Sequence, residues 1–136
     1  MKNLFKIAND EFKKGNISKT IKIYKKILNN NNINEQALNN LAYIYFINND
    51  YKNSKKYIIK SININKKNPY LFYNLGNIYK RTSNLSDAIK NYNIAISLEP
   101  KNKDFLYNKG YVLLRQKKYN IAWQFFENRI HTHNYQ

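Results

Sequence analysis

The residue types that usually carry catalysis are sparse in this chain and badly placed for it. Its eight carboxylates are Asp10, Glu11, Glu35, Asp50, Asp87, Glu99, Asp104 and Glu127. Only Asp10 and Glu11 adjoin, and helical neighbours point to different faces. No spaced pair suggests acid–base work. There is no cysteine, hence no thiol nucleophile and no disulfide or thiolate metal site. The two histidines, His131 and His133, lie within the last six residues, with no third ligand in view. No glycine-rich phosphate loop occurs. Enzymatic activity, a metal and a cofactor are therefore not expected.

What recurs instead is amides and phenols. One series reads Lys6, Asn40, Asn74, Asn108; a second reads Phe5, Asn39, Tyr73, Tyr107; a third reads Asn9, Tyr43, Asn77, Tyr111. An Asn side chain offers a carbonyl acceptor and two N–H donors, so it can pair with both the N–H and the C=O of an extended peptide. Tyr adds flat contact area and a hydroxyl at low entropic cost. Such residues at a constant interval would follow a peptide backbone with little demand on its sequence.

The elements that position them repeat with a period of 34 residues, in four copies: 1–34, 35–68, 69–102 and 103–136. Apolar columns run through the copies: Leu4, Leu38, Phe72, Leu106; Ile17, Tyr51, Leu85, Tyr119; Tyr24, Ile58, Tyr92, Phe126; and Leu28, Ile62, Ile96, Ile130. A small-residue column reads Ala8, Ala42, Gly76, Gly110. In the third copy Phe72, Leu75, Gly76 and Tyr79 recur at i, i+3, i+4 and i+7, one stripe of a helix over 69–82. Ala88, Tyr92, Ala95 and Ile96 form the stripe of a second helix over 86–98. Gly15-Asn16, Asn49-Asp50, Ser83-Asn84 and Lys117-Lys118 supply the turns within the copies. Gly76 and Ala88 lack bulk, which predicts close backbone approach there. Pro100 cannot extend a helix and ends the third unit; Asn32, Lys66 and Asn134 hold its column elsewhere.

This order of large, small and aromatic residues, clearest from Phe72 to Pro100, resembles the tetratricopeptide repeat. The second copy matches through Leu38, Leu41, Ala42 and Tyr45, with Ser54 and Ser61 where the third has Ala88 and Ala95. The first has Glu11 where the others have Tyr45, Tyr79 and Leu113. The fourth has Lys109 in the column of Leu41 and Leu75. The resemblance covers the whole chain. It implies an all-α, right-handed α-solenoid of eight helices, organised as a single array over 1–136. It implies first helices lining a concave groove and second helices forming the convex side. Function is then expected to be non-catalytic protein binding, as a scaffold or adaptor. The groove candidates are Asn9, Asn39, Asn40, Tyr43, Tyr73, Asn74, Asn77, Tyr107, Asn108 and Tyr111. The Asn40, Asn74, Asn108 series is similar to the asparagine ladder of peptide-binding members; in the family that column also serves to bond the neighbouring helix. Another subgroup clamps a terminal carboxylate with basic residues, but Phe5, Tyr70 and Asn74 stand at those positions here.

Two further features give competing expectations. The formal net charge is +16, divided over the copies as +6, +4, +2 and +4. A basic nucleic-acid or anionic-surface binder is one reading of it. Its lysines, however, concentrate on the second helices as Lys19, Lys22, Lys25 and Lys26, then Lys52, Lys55, Lys56 and Lys60. Arg, the better fork for phosphate, occurs only as Arg81, Arg115 and Arg129, which fits a Lys-, Asn- and Ile-favouring codon bias. The last helix carries Trp123, Phe125 and Phe126 with no following repeat to cover them, a candidate surface for another protein or for self-association. Its Ala122-Trp123 and Phe126-Glu127-x-Arg129 pattern is similar to the final repeat of proteins that continue into a glycosyltransferase-like domain, which implies an accessory role in such a system. The N-terminus lacks a signal-peptide core, and the longest apolar run, Leu41 to Ile47, is too short to span a bilayer. A cytoplasmic location is expected.

Overall fold

The computed structural model describes residues 2–130, and the side chains of residues 3–127. His131 and His133 lie outside the described residues. Among the described residues there are eight helices and no strand. They are α1 (Lys2–Lys13), α2 (Ile17–Asn30), α3 (Glu35–Ile47), α4 (Tyr51–Ile64), α5 (Pro69–Arg81), α6 (Leu85–Leu98), α7 (Lys103–Arg115) and α8 (Tyr119–Ile130). Each 34-residue copy is one pair. The pairs gather into two compact units, Met1–Lys66 and Lys67–Gln136.

Helix starts are set by asparagine. Asn34 Oδ1 accepts from the Ala37 N–H at 2.9 Å, Asn68 from Tyr70 at 3.1 Å, and Asn102 from Asp104 and Phe105 at 3.1 and 3.3 Å. All three occupy one column, so the amide supplies an orphan helix donor with its partner at the entry to α3, α5 and α7. Pro69 adds a fixed φ at the start of α5. The turn between the helices of a pair passes through a left-handed residue in every copy: Gly15 (φ 79°), Asn49 (61°), Ser83 (63°) and Lys117 (60°). Only the first copy meets that demand with glycine, the residue that takes this conformation at no steric cost.

In the first unit Ala8, Tyr24, Ile27, Ala37, Leu41 and Ile44 form a buried core shared by α1, α2 and α3. In the second, Ala88, Tyr92 and Val112 are buried between α6 and α7, with Tyr73, Tyr79 and Leu85 packed around them. The small-residue column has a more specific cause than close backbone approach. A Cβ on Gly76 would stand 2.6 and 2.7 Å from Cε1 and Cδ1 of Tyr92. A Cβ on Gly110 would stand 2.9 Å from the Phe125 Cβ. The glycines make room for aromatic side chains of the paired helix.

The two serines that replace alanines in the second copy behave differently. Ser54 is buried and donates to the Ala42 carbonyl at 2.7 Å. Ser61 is fully buried and its Oγ has no hydrogen-bond partner. An unsatisfied buried hydroxyl costs about 1–3 kcal/mol. Ser61→Ala is therefore expected to stabilise the protein by about 1 kcal/mol, while Ser54→Ala does not. Urea denaturation of both variants checks this; equal shifts would show that the two hydroxyls are in equivalent surroundings.

Candidate functional site

The groove candidates lie on the first helices, α1 and α3 in one unit, α5 and α7 in the other. In the first unit two of them meet a core phenol. The Tyr24 hydroxyl donates to Asn9 Oδ1 at 2.9 Å and accepts from Asn40 Nδ2 at 2.9 Å. Burial pushes the Tyr24 phenol above its ordinary pKa, against a smaller opposite effect of the Asn40 bond. The hydroxyl thus stays protonated and can donate. The result is a relay, Asn40 to Tyr24 to Asn9, that ties α3 to the preceding pair. Tyr43 projects from the same helix with 56% of its surface exposed, its ring edge-on to Phe12 at 6.3 Å. Asn39 is half-buried, and its amide makes no side-chain hydrogen bond among the described residues.

The second unit repeats half of this relay. The Tyr92 hydroxyl donates to Asn77 Oδ1 at 2.7 Å, fifteen residues away, as Tyr24 does to Asn9. Burial pushes the Tyr92 phenol far up. Asn108 is held from three sides. Its Nδ2 donates to the Tyr73 hydroxyl at 3.0 Å and the Asp104 carbonyl at 2.9 Å, and its Oδ1 accepts from Lys80 Nζ at 2.6 Å. Asn74 makes no side-chain hydrogen bond among the described residues. Tyr107 and Tyr111 are exposed; the Tyr107 ring meets Phe126 edge-on, and Lys80 Nζ sits 5.7 Å from the Tyr111 centroid.

The asparagine series is thus divided in use. Asn40 and Asn108 bond the preceding helix pair, whereas Asn39 and Asn74 keep their amide groups available. Copies one and three share the Asn–Tyr bond because they alone carry Asn9 with Tyr24 and Asn77 with Tyr92. Copies two and four place Tyr43 with Ile58 and Tyr111 with Phe126. That alternation of copies lies in the columns, but it does not foretell Asn108, whose partners are Tyr73, the Asp104 carbonyl and Lys80. Lys80 and Arg115 were missed altogether. Their columns, Phe12, Phe46, Lys80, Leu114 and Lys13, Ile47, Arg81, Arg115, change chemistry from copy to copy, so periodicity gave no signal.

The lysines of the second helices are exposed, except for half-buried Lys55. On α8 the three aromatic candidates part company. Phe125 and Phe126 are half-buried towards α7, Phe125 beside Gly110 and under Lys109 Nζ at 4.7 Å from its centroid. Trp123 is 58% exposed, with Tyr119 and Ile121 also exposed on that helix. Burial holds the Lys109 amine below its usual pKa. No three His, Cys, Asp or Glu side chains gather among the described residues. No helix among them is long and apolar enough to cross a membrane.

Glu11, the departure in copy one, closes the first turn. It is buried to 7% exposure and accepts from Asn16 Nδ2 at 2.7 Å, with Lys19 Nζ at 3.2 Å and Lys14 Nζ at 3.6 Å. The Asn16 bond first, then the Lys19 bond, holds its carboxyl below the ordinary value of 4.5, with burial opposing. A carboxyl whose pKa is lowered by folding stabilises the fold above its unfolded value and loses that effect as pH falls through the folded one. Glu11→Gln is thus expected to be less stable than wild type at neutral pH, with the gap closing below the ordinary Glu value. Thermal melts from neutral pH to about pH 3 check the sign; a constant gap would remove the charge from the explanation.

Comparison with known proteins agrees with this architecture. Models described as "Tetratricopeptide repeat" match residues 35–68, 69–102 and 91–124. In a search of the curated proteins nothing matches. Among solved structures, the chain is similar to MamA from Desulfovibrio magneticus RS-1, with 16% identity and a TM-score of 0.86 over 94% of this chain and 72% of that one. It is similar to a tetratricopeptide repeat protein from Parabacteroides merdae at 19% identity and a TM-score of 0.89, covering 99% of this chain and 54% of that one. It is also similar to the first tetratricopeptide repeat domain of Spaghetti (RPAP3) bound to an HSP90 peptide, SRMEEVD, at 20% identity and a TM-score of 0.78, covering 84% and 90%. At these identities the likeness concerns the fold. With these matches across residues 35–124, the chain belongs to the tetratricopeptide repeat family, whose fold is generally a non-catalytic scaffold for protein interactions.

Proposed function

We propose that this protein is a non-catalytic adaptor that holds an extended peptide segment of a partner along the first-helix face of each unit. The observation that carries the reading is the pair of unengaged amides. Asn39 and Asn74 are half-buried with unengaged amides, and each stands one helical turn from an exposed phenol, Tyr43 on α3 and Tyr70 on α5. A half-buried amide with free donors and acceptor matches a peptide bond better than it matches bulk surface. The peptide seen with the Spaghetti domain supports the same mode of use of this fold. Cytoplasmic location is part of the proposal.

The structure also changes which substitutions test it. Replacing Asn40 or Asn108 breaks bonds to Tyr24, Tyr73 and Lys80, so loss of binding in those variants would mix recognition with folding. The Asn39→Ala, Asn74→Ala double variant disturbs no internal hydrogen bond. It is expected to retain wild-type helicity and melting temperature while losing partners captured by the wild-type protein from nuclease-treated lysate. Retention of the same partners by both proteins would remove these amides from the binding face. A capture that disappears on nuclease treatment and falls steeply with salt would favour the lysine-rich second helices and nucleic acid instead.

A further inference from the structure

The second unit holds a half-buried cation without a counter-charge. Lys80, near the end of α5, is half-buried, its ammonium 5.7 Å from the Tyr111 ring centroid and bonded to the neutral Asn108 amide at 2.6 Å. Arg115, at the end of α7, reaches across to donate from Nη1 to the Lys80 carbonyl at 3.2 Å, which leaves its other guanidinium donors free. Neither Lys80 nor Arg115 forms an ion pair among the described residues. Burial first, then the Arg81 and Arg115 charges, holds the Lys80 amine below its usual pKa. A cation kept from water beside like charge is destabilised, and a fitting anion relieves that cost.

We infer that Lys80 and Arg115, with the Asn108 amide and the Tyr111 ring beside them, form a subsite for an acidic side chain, Asp or Glu, of the extended peptide. The inference rests on the peptide-binding reading above and adds the chemistry of the partner. A carboxylate suits the geometry: Arg presents a planar fork to its two oxygens, and Lys supplies a point charge behind them. A nucleic-acid backbone would instead favour a long exposed track of cations. Here cations of two helices lie close together, Arg115 on the Lys80 carbonyl and the Lys80 ammonium on Asn108, with the Tyr111 ring beside it. The Asn108 Oδ1 that now accepts from Lys80 would be replaced by a charged acceptor, which makes a stronger bond.

The experiment is a titration of the full chain, followed by NMR of labelled Lys and Arg side chains and backbone amides. The probes are two acetylated, C-terminally amidated peptides that alternate Gly with Glu or Gly with Gln, and a short oligothymidylate. The Glu peptide is expected to shift Lys80, Arg115 and Asn108 signals saturably and to raise the Lys80 pKa. The Gln peptide is expected to bind about tenfold more weakly, the value of one charge-assisted bond. Lys80→Met keeps an unbranched side chain without the charge and is expected to remove the preference for Glu, as is Arg115→Gln. Shifts by both peptides at Asn39 and Asn74 but none at Lys80 would leave the peptide face standing and overturn the acidic subsite. No first-helix shift by either peptide would overturn both. Binding of the oligothymidylate alone at Lys80 and Arg115, or Glu-peptide shifts spread evenly over the lysines of α2 and α4, would also overturn it.

Discussion

Tyr92→Ala is expected to lower the stability of the protein by about 3–5 kcal/mol. Tyr92 is fully buried in the second unit, its ring between Gly76 on α5 and Tyr73, whose centroid is 5.9 Å away. Truncation removes the whole ring and leaves a cavity that a helix pair so closely packed cannot fill. Tyr92→Phe removes only the bond to Asn77 and is expected to cost about 0.5–1.5 kcal/mol. The gap between the two variants separates ring packing from the hydroxyl. A second cycle tests the role given to Gly76. Gly76→Ala gains about 1 kcal/mol of helix propensity, but its Cβ would enter the ring at 2.6 Å, and overpacking costs about 1–3 kcal/mol. The clash is expected to win modestly in wild type. In the Tyr92→Ala background the same change is expected to stabilise. Urea denaturation of the four proteins gives the coupling; additive effects would show that the ring does not occupy the space a Cβ needs.

The packing of a helix on its own partner was legible in the sequence, because the residues that carry it recur with the period. Gly76, Ala88 and Tyr92 could be placed in one unit of structure from spacing alone, and the helix bounds differ by a residue at most from those the pattern implied. What could not be read was the use made of each polar group. Asn40, Asn74 and Asn108 are the same residue in the same column, yet two are tied to Tyr24, Tyr73 and Lys80 while Asn74 is unengaged. The difference lies in which neighbour stands opposite, Tyr24 or Tyr73 across from Asn40 and Asn108, and a column records no neighbour. Lys80 and Arg115 escaped for a related reason: their meeting is made by the third dimension, between positions whose columns have no common chemistry. Repeat periodicity therefore exposes what every copy must do to fold. It conceals what single copies do for binding, since binding residues need not recur.

One core column was concealed as well, and it carries the second large effect. Asn3, Ala37, Leu71 and Phe105 share a position, and the last three are each fully buried. The column is hard to see because its first member is polar and its others differ in size. Ala37 packs into the core that α1 and α2 form, together with Ile44. Phe105 is the corresponding residue of the second unit. Its ring lies 5.3 Å from Tyr70 and 4.9 Å from Tyr73, both on α5, so it joins α7 to the preceding helix pair. Phe105→Ala is therefore expected to cost about 3–5 kcal/mol, comparable to Tyr92→Ala although Phe105 lies outside the repeat's recognisable pattern. It should also loosen Tyr73, which accepts the Asn108 bond, so hydrogen exchange is expected to accelerate in α7 more than in α1 or α2. Phe105→Leu keeps most of the volume and is expected to recover more than half of the loss. A small effect of Phe105→Ala, with unchanged exchange in α7, would mean that the stacking of α7 on α5 depends on the recognisable columns alone. The ring contacts from one copy to the next would then be incidental to the fold.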